Sequence, residues 1–237
     1  MKRIIKKLTN ILFITAFMTC ITKTVFSEVS EYANYQDYTY SIHNDSITIE
    51  KYLGNQPFVV IPDSICGLNV TVIGNFAFYG NQTAWSILLP KTVQIIGESA
   101  FENTQIRQIV LPYGIEEIGE SAFAYSNLTS VFIPSSVIRL GRYAFYECGL
   151  LTSVHIDPGI DMIDEAMFFE CVSLKDIQMP DTIKEIKEEA FYYCISLDEI
   201  ELPESIQRIA ETAFGLCNQL PSLWPYPESG TYPNLTP

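Results

Sequence analysis

Short alternations of apolar and polar residues recur along the chain, and nearly every one ends at a proline. In residues 128–148, LTSVFIPSSVIRLGRYAFYEC, Val131 and Ile133 alternate with Ser130 and Phe132, the pattern of a short strand with one side inward. Pro134 ends that strand, because proline lacks the N–H that would continue a ladder. Val137 and Leu140, three residues apart, return to the interior after a turn. Gly141 to Phe145 then predicts a helical turn, Ala144 leaving room for close approach and Phe145 filling the core. The same order returns at Pro62, Pro90, Pro112, Pro134, Asp157, Pro180 and Pro203, in steps of 28, 22, 22, 23, 23 and 23 residues. Eleven residues after each of the last six stands Phe101, Phe123, Phe145, Phe168, Phe191 or Phe214. The first copy needs sixteen to reach Phe78, its excess lying in the CGLNV stretch from Cys66 to Val70. A fixed period in the range of roughly 20–29 residues predicts a solenoid whose rungs bury their apolar sides only against neighbours. Each rung offers about six apolar side chains to one continuous core, each stabilising by ~1.5–3 kcal/mol when fully buried. The glycine of the helical turn gives way to Asp164, Lys187 and Ala210 in later copies, so a left-handed backbone is not demanded at that slot.

The two ends depart from this pattern. Tyr38, Tyr40 and Ile42 alternate with polar residues, Ile47 and Ile49 do so again, and Asn44-Asp45-Ser46 between them favours a turn, which together predict a β-hairpin. An open solenoid exposes the edge of its first strand, so residues 28–58 are expected to cap it. The tyrosines Tyr32, Tyr35, Tyr38 and Tyr40 are compatible with that role and with a ligand platform. After Cys217 the spacing persists through Leu220 and Leu223, giving repeats over 59–223. The prolines that follow prevent another rung and leave 224–237 as a proline-rich tail, with Trp224 placed to lie over the last rung.

Charge and the leader bear on where the chain works. Residues 1–27 combine Lys2, Arg3, Lys6 and Lys7 with an apolar run from Leu8 to Met18 and Val25-Phe26-Ser27 before Glu28, the layout of a signal peptide. The run is interrupted and shorter than the ~20 residues of a membrane-spanning helix, so stable membrane insertion is not expected. Cys20 leaves lipid attachment as an alternative, although Thr19 before it fits that signal poorly. The expected location is secreted or cell surface. Beyond residue 27 there are 9 basic against 28 acidic side chains, a formal charge of −19. Such a surface repels phosphate backbones and argues against a nucleic-acid partner.

Chemistry-bearing constellations are scarce. Two histidines, His43 and His155, cannot make a histidine-rich metal site. GESAF at 97–101 and 119–123 lacks the second glycine of a nucleophile elbow, and no phosphate-cradling loop or CxxC spacing occurs. Asp157, Asp161, Asp164 and Glu165 read as a solvated acidic turn, with a calcium site as the lesser alternative. Cys148, Cys171, Cys194 and Cys217 share one slot, three residues after the repeat phenylalanine, with Asn81, Thr104 and Ser126 in earlier copies. A slot shared by those types predicts a stacked ladder of structural thiols meeting backbone polar groups; parallel Cβ vectors disfavour disulfides. The N-x-S/T sequons at Asn44, Asn69, Asn81, Asn127 and Asn234 matter only if a eukaryotic secretory pathway exports the chain. No catalytic residue, metal or cofactor is expected.

The informative signal is on the strands. Their outward middle residues read Val60, Leu88, Val110, Phe132, His155, Gln178 and Glu201, apolar at one end and polar or acidic at the other. Apolar side chains in line on a strand face predict a protein-binding surface, set against the preference of strands for such residues.

The unit seen as VFIPSSVIRLGRYAFYECGLL and IELPESIQRIAETAFGLCNQL resembles the BspA-type leucine-rich repeat, and YTYSIHNDSITIEKYLGNQPFVVIPDSICGLNVTVIGNFAF resembles the first module of such proteins. The resemblance covers about residues 37–223. It implies an α/β leucine-rich-repeat solenoid of short parallel strands with helical turns, capped by an N-terminal β-hairpin. It also implies a surface or secreted adhesin-like protein of a host-associated microbe, with an extracellular-matrix or cell-surface protein as partner. The alternative is a structural or self-associating surface component. Asp157 for proline, Met167 for alanine and the missing glycines of the last three rungs depart from the unit.

Overall fold

A computed structural model describes residues 37–220. The leader with Cys20, Tyr32, Tyr35, Trp224 and the proline-rich tail lie outside them. The described chain winds as a three-faced solenoid. The first face consists of strands Phe58–Val60, Ser86–Leu88, Gln108–Val110, Ser130–Ile133, Ser153–Ile156 and Asp176–Gln178, paired in parallel as two three-stranded ladders. Short strands that begin with Leu68–Ile73 and Ile95–Ile96 and end with Arg208–Ile209 form the second face, again largely parallel. Pairing on that face is interrupted between Arg139–Leu140 and Met162–Ile163, beside the rung in which Asp157 replaces proline.

The third face is not helical. No α-helix occurs among the described residues. The stretch expected to form a helical turn instead carries left-handed residues at two fixed places, as at Ser99 (φ 51°) and Asn103 (φ 53°). Left-handed residues redirect every second amide along the solenoid axis. Ser99, Phe101 and Asn103 donate N–H bonds to the carbonyls of Glu120, Ala122 and Ala124 in the next rung (2.9, 2.8 and 2.8 Å), while Ala100 and Glu102 bond locally to Gly97 and Ser99. A helical turn would direct those amides back within its own rung and leave this face unstitched. Inter-rung bonds at about 0.5–1.5 kcal/mol each offset the penalty of the left-handed backbone.

Inside, one ring per rung stacks into a column. Phe78, Phe101, Phe123, Phe145, Phe168, Phe191 and Phe214 lie with neighbouring centroids 5.1–5.5 Å apart. The column continues into the N-terminal hairpin. Strands β1 (Tyr38–His43) and β2 (Ser46–Tyr52) pair antiparallel across a turn with Asn44 and Asp45 both at positive φ, the type I′ signature of a two-residue hairpin loop. β2 pairs in parallel with Leu68–Ile73, and Tyr52 stacks on Phe78 at 4.9 Å. Tyr38 is buried against Tyr52, and its hydroxyl donates to the Val60 carbonyl at 3.2 Å.

Glycines at the start of the third face serve approach between rungs. A Cβ on Gly141 would stand 2.5 Å from the Glu120 nitrogen, and one on Gly119 would stand 2.7 Å from that of Glu98. Neither has positive φ; the left-handed residue comes two positions later. Gly141→Ala is expected to force two rungs apart and destabilise the protein by about 1–3 kcal/mol, the range for overpacking. A chemical-denaturation curve unchanged from that of the parent would contradict this.

Candidate binding face

On the first face the inward strand residues fill the core and their alternates face solvent. Val60 pairs with Leu88 and Leu88 with Val110; beyond the break between the two ladders, Phe132 pairs with His155 and His155 with Gln178. Val60, Leu88, Val110 and Phe132 are all exposed, Val110 to 70%. Glu201 is exposed but belongs to no strand, because the final rung lacks ladder pairing on this face.

Three further residues enlarge the apolar end. Phe58 and Trp85 pack edge to face at 6.1 Å, and Tyr113 meets Phe132 in the same manner at 6.2 Å. Phe58 and Tyr113 are 68% and 75% exposed, so these rings cover one another only in part. The strand middles named from the sequence do not include them. Phe58 stands two before the middle residue, where Ser86 and Gln108 stand in the next copies. Trp85 precedes its strand, and Tyr113 follows the terminating Pro112.

The other end is polar and mutually engaged. His155 stacks on Phe132 at 5.2 Å and 15°, its Nδ1 lies 2.7 Å from Gln178 Oε1, and its Nε2 lies 3.2 Å from Asp157 Oδ1. Both ring nitrogens are thereby occupied, and His43 sits on the hairpin turn in a different part of the molecule. Ser99, in the first GESAF segment, is buried in a left-handed turn, which is not the exposed strand-to-helix corner a nucleophilic serine needs.

Other candidate groups serve adjacent rungs. Asp161 faces Lys184 (3.9 Å), Asp164 binds Lys187 (3.0 Å), and Glu165 accepts from the Tyr143 hydroxyl (2.8 Å). The oxygens of the acidic run thus turn to separate partners. Among the described residues no three His, Cys, Asp or Glu side chains gather as a metal site.

The cysteine slot forms the expected ladder of free thiols. Cys148, Cys171, Cys194 and Cys217 each donate S–H to the carbonyl of the repeat phenylalanine one rung earlier, at 2.9–3.2 Å. Burial pushes the Cys148 thiol up to about 11 and raises Cys171 and Cys194 well above the usual thiol range. With almost no thiolate, these three cysteines are expected to resist thiol-directed reagents at pH 8 until the protein unfolds. Rapid labelling of the native protein at Cys171 would contradict the assignment.

The solenoid of short parallel strands, with its recurring apolar positions, is that of a leucine-rich-repeat protein. Residues 57–174 and 139–229 match the BspA type Leucine rich repeat region in 6 copies, and the chain belongs to that family. Among solved structures it is similar to a leucine-rich-repeat protein of T. pallidum, at 26% identity and TM-score 0.58, with 70% of this chain and 91% of that one covered. It is also similar to one from Eubacterium ventriosum (21% identity, TM-score 0.68, coverage 84% and 56%). A third, from Bacteroides ovatus, shows 26% identity, TM-score 0.55 and coverage of 73% and 54%. The chain therefore spans just over half the length of the latter two. A search of curated proteins finds no match.

Proposed function

We propose that the protein is an exported, adhesin-like binding module whose strand face docks an extracellular-matrix or cell-surface protein. The observation that carries this reading is the row formed by Phe58, Val60, Trp85, Leu88, Val110, Tyr113 and Phe132, all exposed along the first face. Large aromatic residues clustered in the open are the usual anchors of protein interfaces. None of these rings belongs to the buried core. In this reading residues 1–27 act as a signal peptide that delivers the module to the outside or the cell surface, supported by their basic start and apolar run, and the hairpin caps the first rung by extending the ring column with Tyr52 and Tyr38. The repeats then act as a rigid bar, and His155, Gln178 and Glu201 supply a polar flank that orients the partner. No catalytic step is assigned to the chain. Titration of the purified protein with fibronectin and fibrinogen tests the reading: Phe132→Ser is expected to weaken binding at least tenfold, as removal of an interface anchor does. Equal affinities for parent and variant would overturn it.

A further inference from the structure

The third face carries aromatic rings that the fold does not require. Tyr125, Tyr143 and Tyr193 occupy left-handed positions with φ of 57°, 58° and 60°. Bulky residues are disfavoured there; earlier copies place Phe76, Ser99 and Ser121 in the slot of Tyr143, and Gly80 and Asn103 in that of Tyr125. Tyr125 and Tyr193 are 45% and 38% exposed, so core packing does not explain the choice.

Two of these rings, Tyr125 and Tyr143, belong to one cluster. Tyr125 and Tyr143 both meet Tyr146 edge-on, with centroids at 5.4 and 5.8 Å, and Tyr146 stacks flat on Phe169 in the next rung at 4.8 Å and 6°. Carboxylates stand among them. Glu165 accepts the Tyr143 hydroxyl at 2.8 Å. Burial and then the Glu147 carboxylate raise both the Tyr125 and Tyr146 phenols, Tyr146 to about 12, so the rings stay neutral. One cation of the chain already uses this chemistry: the Arg142 guanidinium lies 5.5 Å over the Tyr143 ring while pairing with Glu120 at 3.0 Å. Aromatic faces beside carboxylates attract guanidinium and ammonium groups through both the ring quadrupole and the charge.

We propose that the corner of the third face built on Tyr125, Tyr143 and Tyr146 with Glu147 and Glu165 docks a lysine- or arginine-rich segment of a second protein. This surface lies on a different face from the strand-face stripe and stands independently of it. The excess of acid beyond the leader draws a basic segment in, and the rings fix where it lies.

The test is titration of the purified protein with a fluorescently labelled oligo-arginine peptide at physiological ionic strength. Tyr125→Asn combined with Tyr143→Asn leaves the net charge unchanged and installs a residue suited to left-handed backbone. Its melting temperature is expected to equal or exceed that of the parent, while peptide affinity falls about tenfold, the scale of two exposed cation–π contacts. Phe132→Ser is expected to leave peptide binding unchanged. Undiminished affinity in the tyrosine double variant would reduce the effect to general attraction by an acidic surface and overturn the proposal. A marked drop in its melting temperature would show that the rings serve the fold and would overturn it as well.

Discussion

Phe168→Ala is expected to destabilise the protein by about 3–5 kcal/mol, the range for emptying a fully buried aromatic site. The Phe168 ring is completely buried, held flat between Phe145 at 5.5 Å and Phe191 at 5.3 Å. Rungs on either side meet through this column as well as through strand ladders and inter-rung amide bonds, and a solenoid has no distant contacts to compensate. The deletion is therefore expected to loosen the coupling between the two halves and to broaden urea unfolding, or split it into two steps. Phe214→Ala, in the last described rung and slightly less buried, is expected to cost less. Urea titration followed by circular dichroism checks both. A loss below about 1 kcal/mol at Phe168, well outside the range for such deletions, would deny the column its role.

The largest expected effect on binding follows from removing two anchors of the stripe together. Trp85→Ser with Phe132→Ser is expected to weaken association with a matrix-protein ligand by at least about 100-fold, since single interface anchors contribute on the order of 2 kcal/mol or more. Trp85 is 55% and Phe132 39% exposed and neither belongs to the buried core, so the melting temperature is expected to stay close to that of the parent. Gln178→Ala, on the polar flank, is expected to change affinity little. Surface plasmon resonance with immobilised fibronectin or fibrinogen provides the readout. A double variant that binds as the parent does would place the interface elsewhere.

The repeat itself was legible because its marks are covalent and local: a proline that ends each strand, a phenylalanine eleven residues on, and a small polar residue or thiol three beyond that. Inward residues such as Val131, Ile133 and Phe145 and the thiol ladder followed from spacing alone. The turn face did not. An Ala-Phe pair after a glycine is compatible with one turn of helix, and what selects the alternative is bonding between rungs, from Phe101 to Ala122 for example, which no single copy displays. Gly80 and Asn103, both tolerant of left-handed backbone, were the available cue four residues after the first left-handed slot. The outward strand face was legible along the strand middles from Val60 to Gln178. Phe58, the outward alternate of Val60 on its own strand, was open to the same reading, whereas Trp85 and Tyr113 flank their strands, and their contacts with Phe58 and Phe132 are a proximity that alternation within strands does not report.

The measurement that tests the central claim most directly is light scattering of the purified protein across a concentration series, alone and with fibronectin or fibrinogen. The account predicts a constant monomer mass for the protein alone and a heavier complex with a matrix protein that the Trp85→Ser, Phe132→Ser variant fails to form. A mass that rises with concentration for the protein alone, and that the same two substitutions hold at the monomer, would contradict it and assign the stripe to contact between copies of this chain.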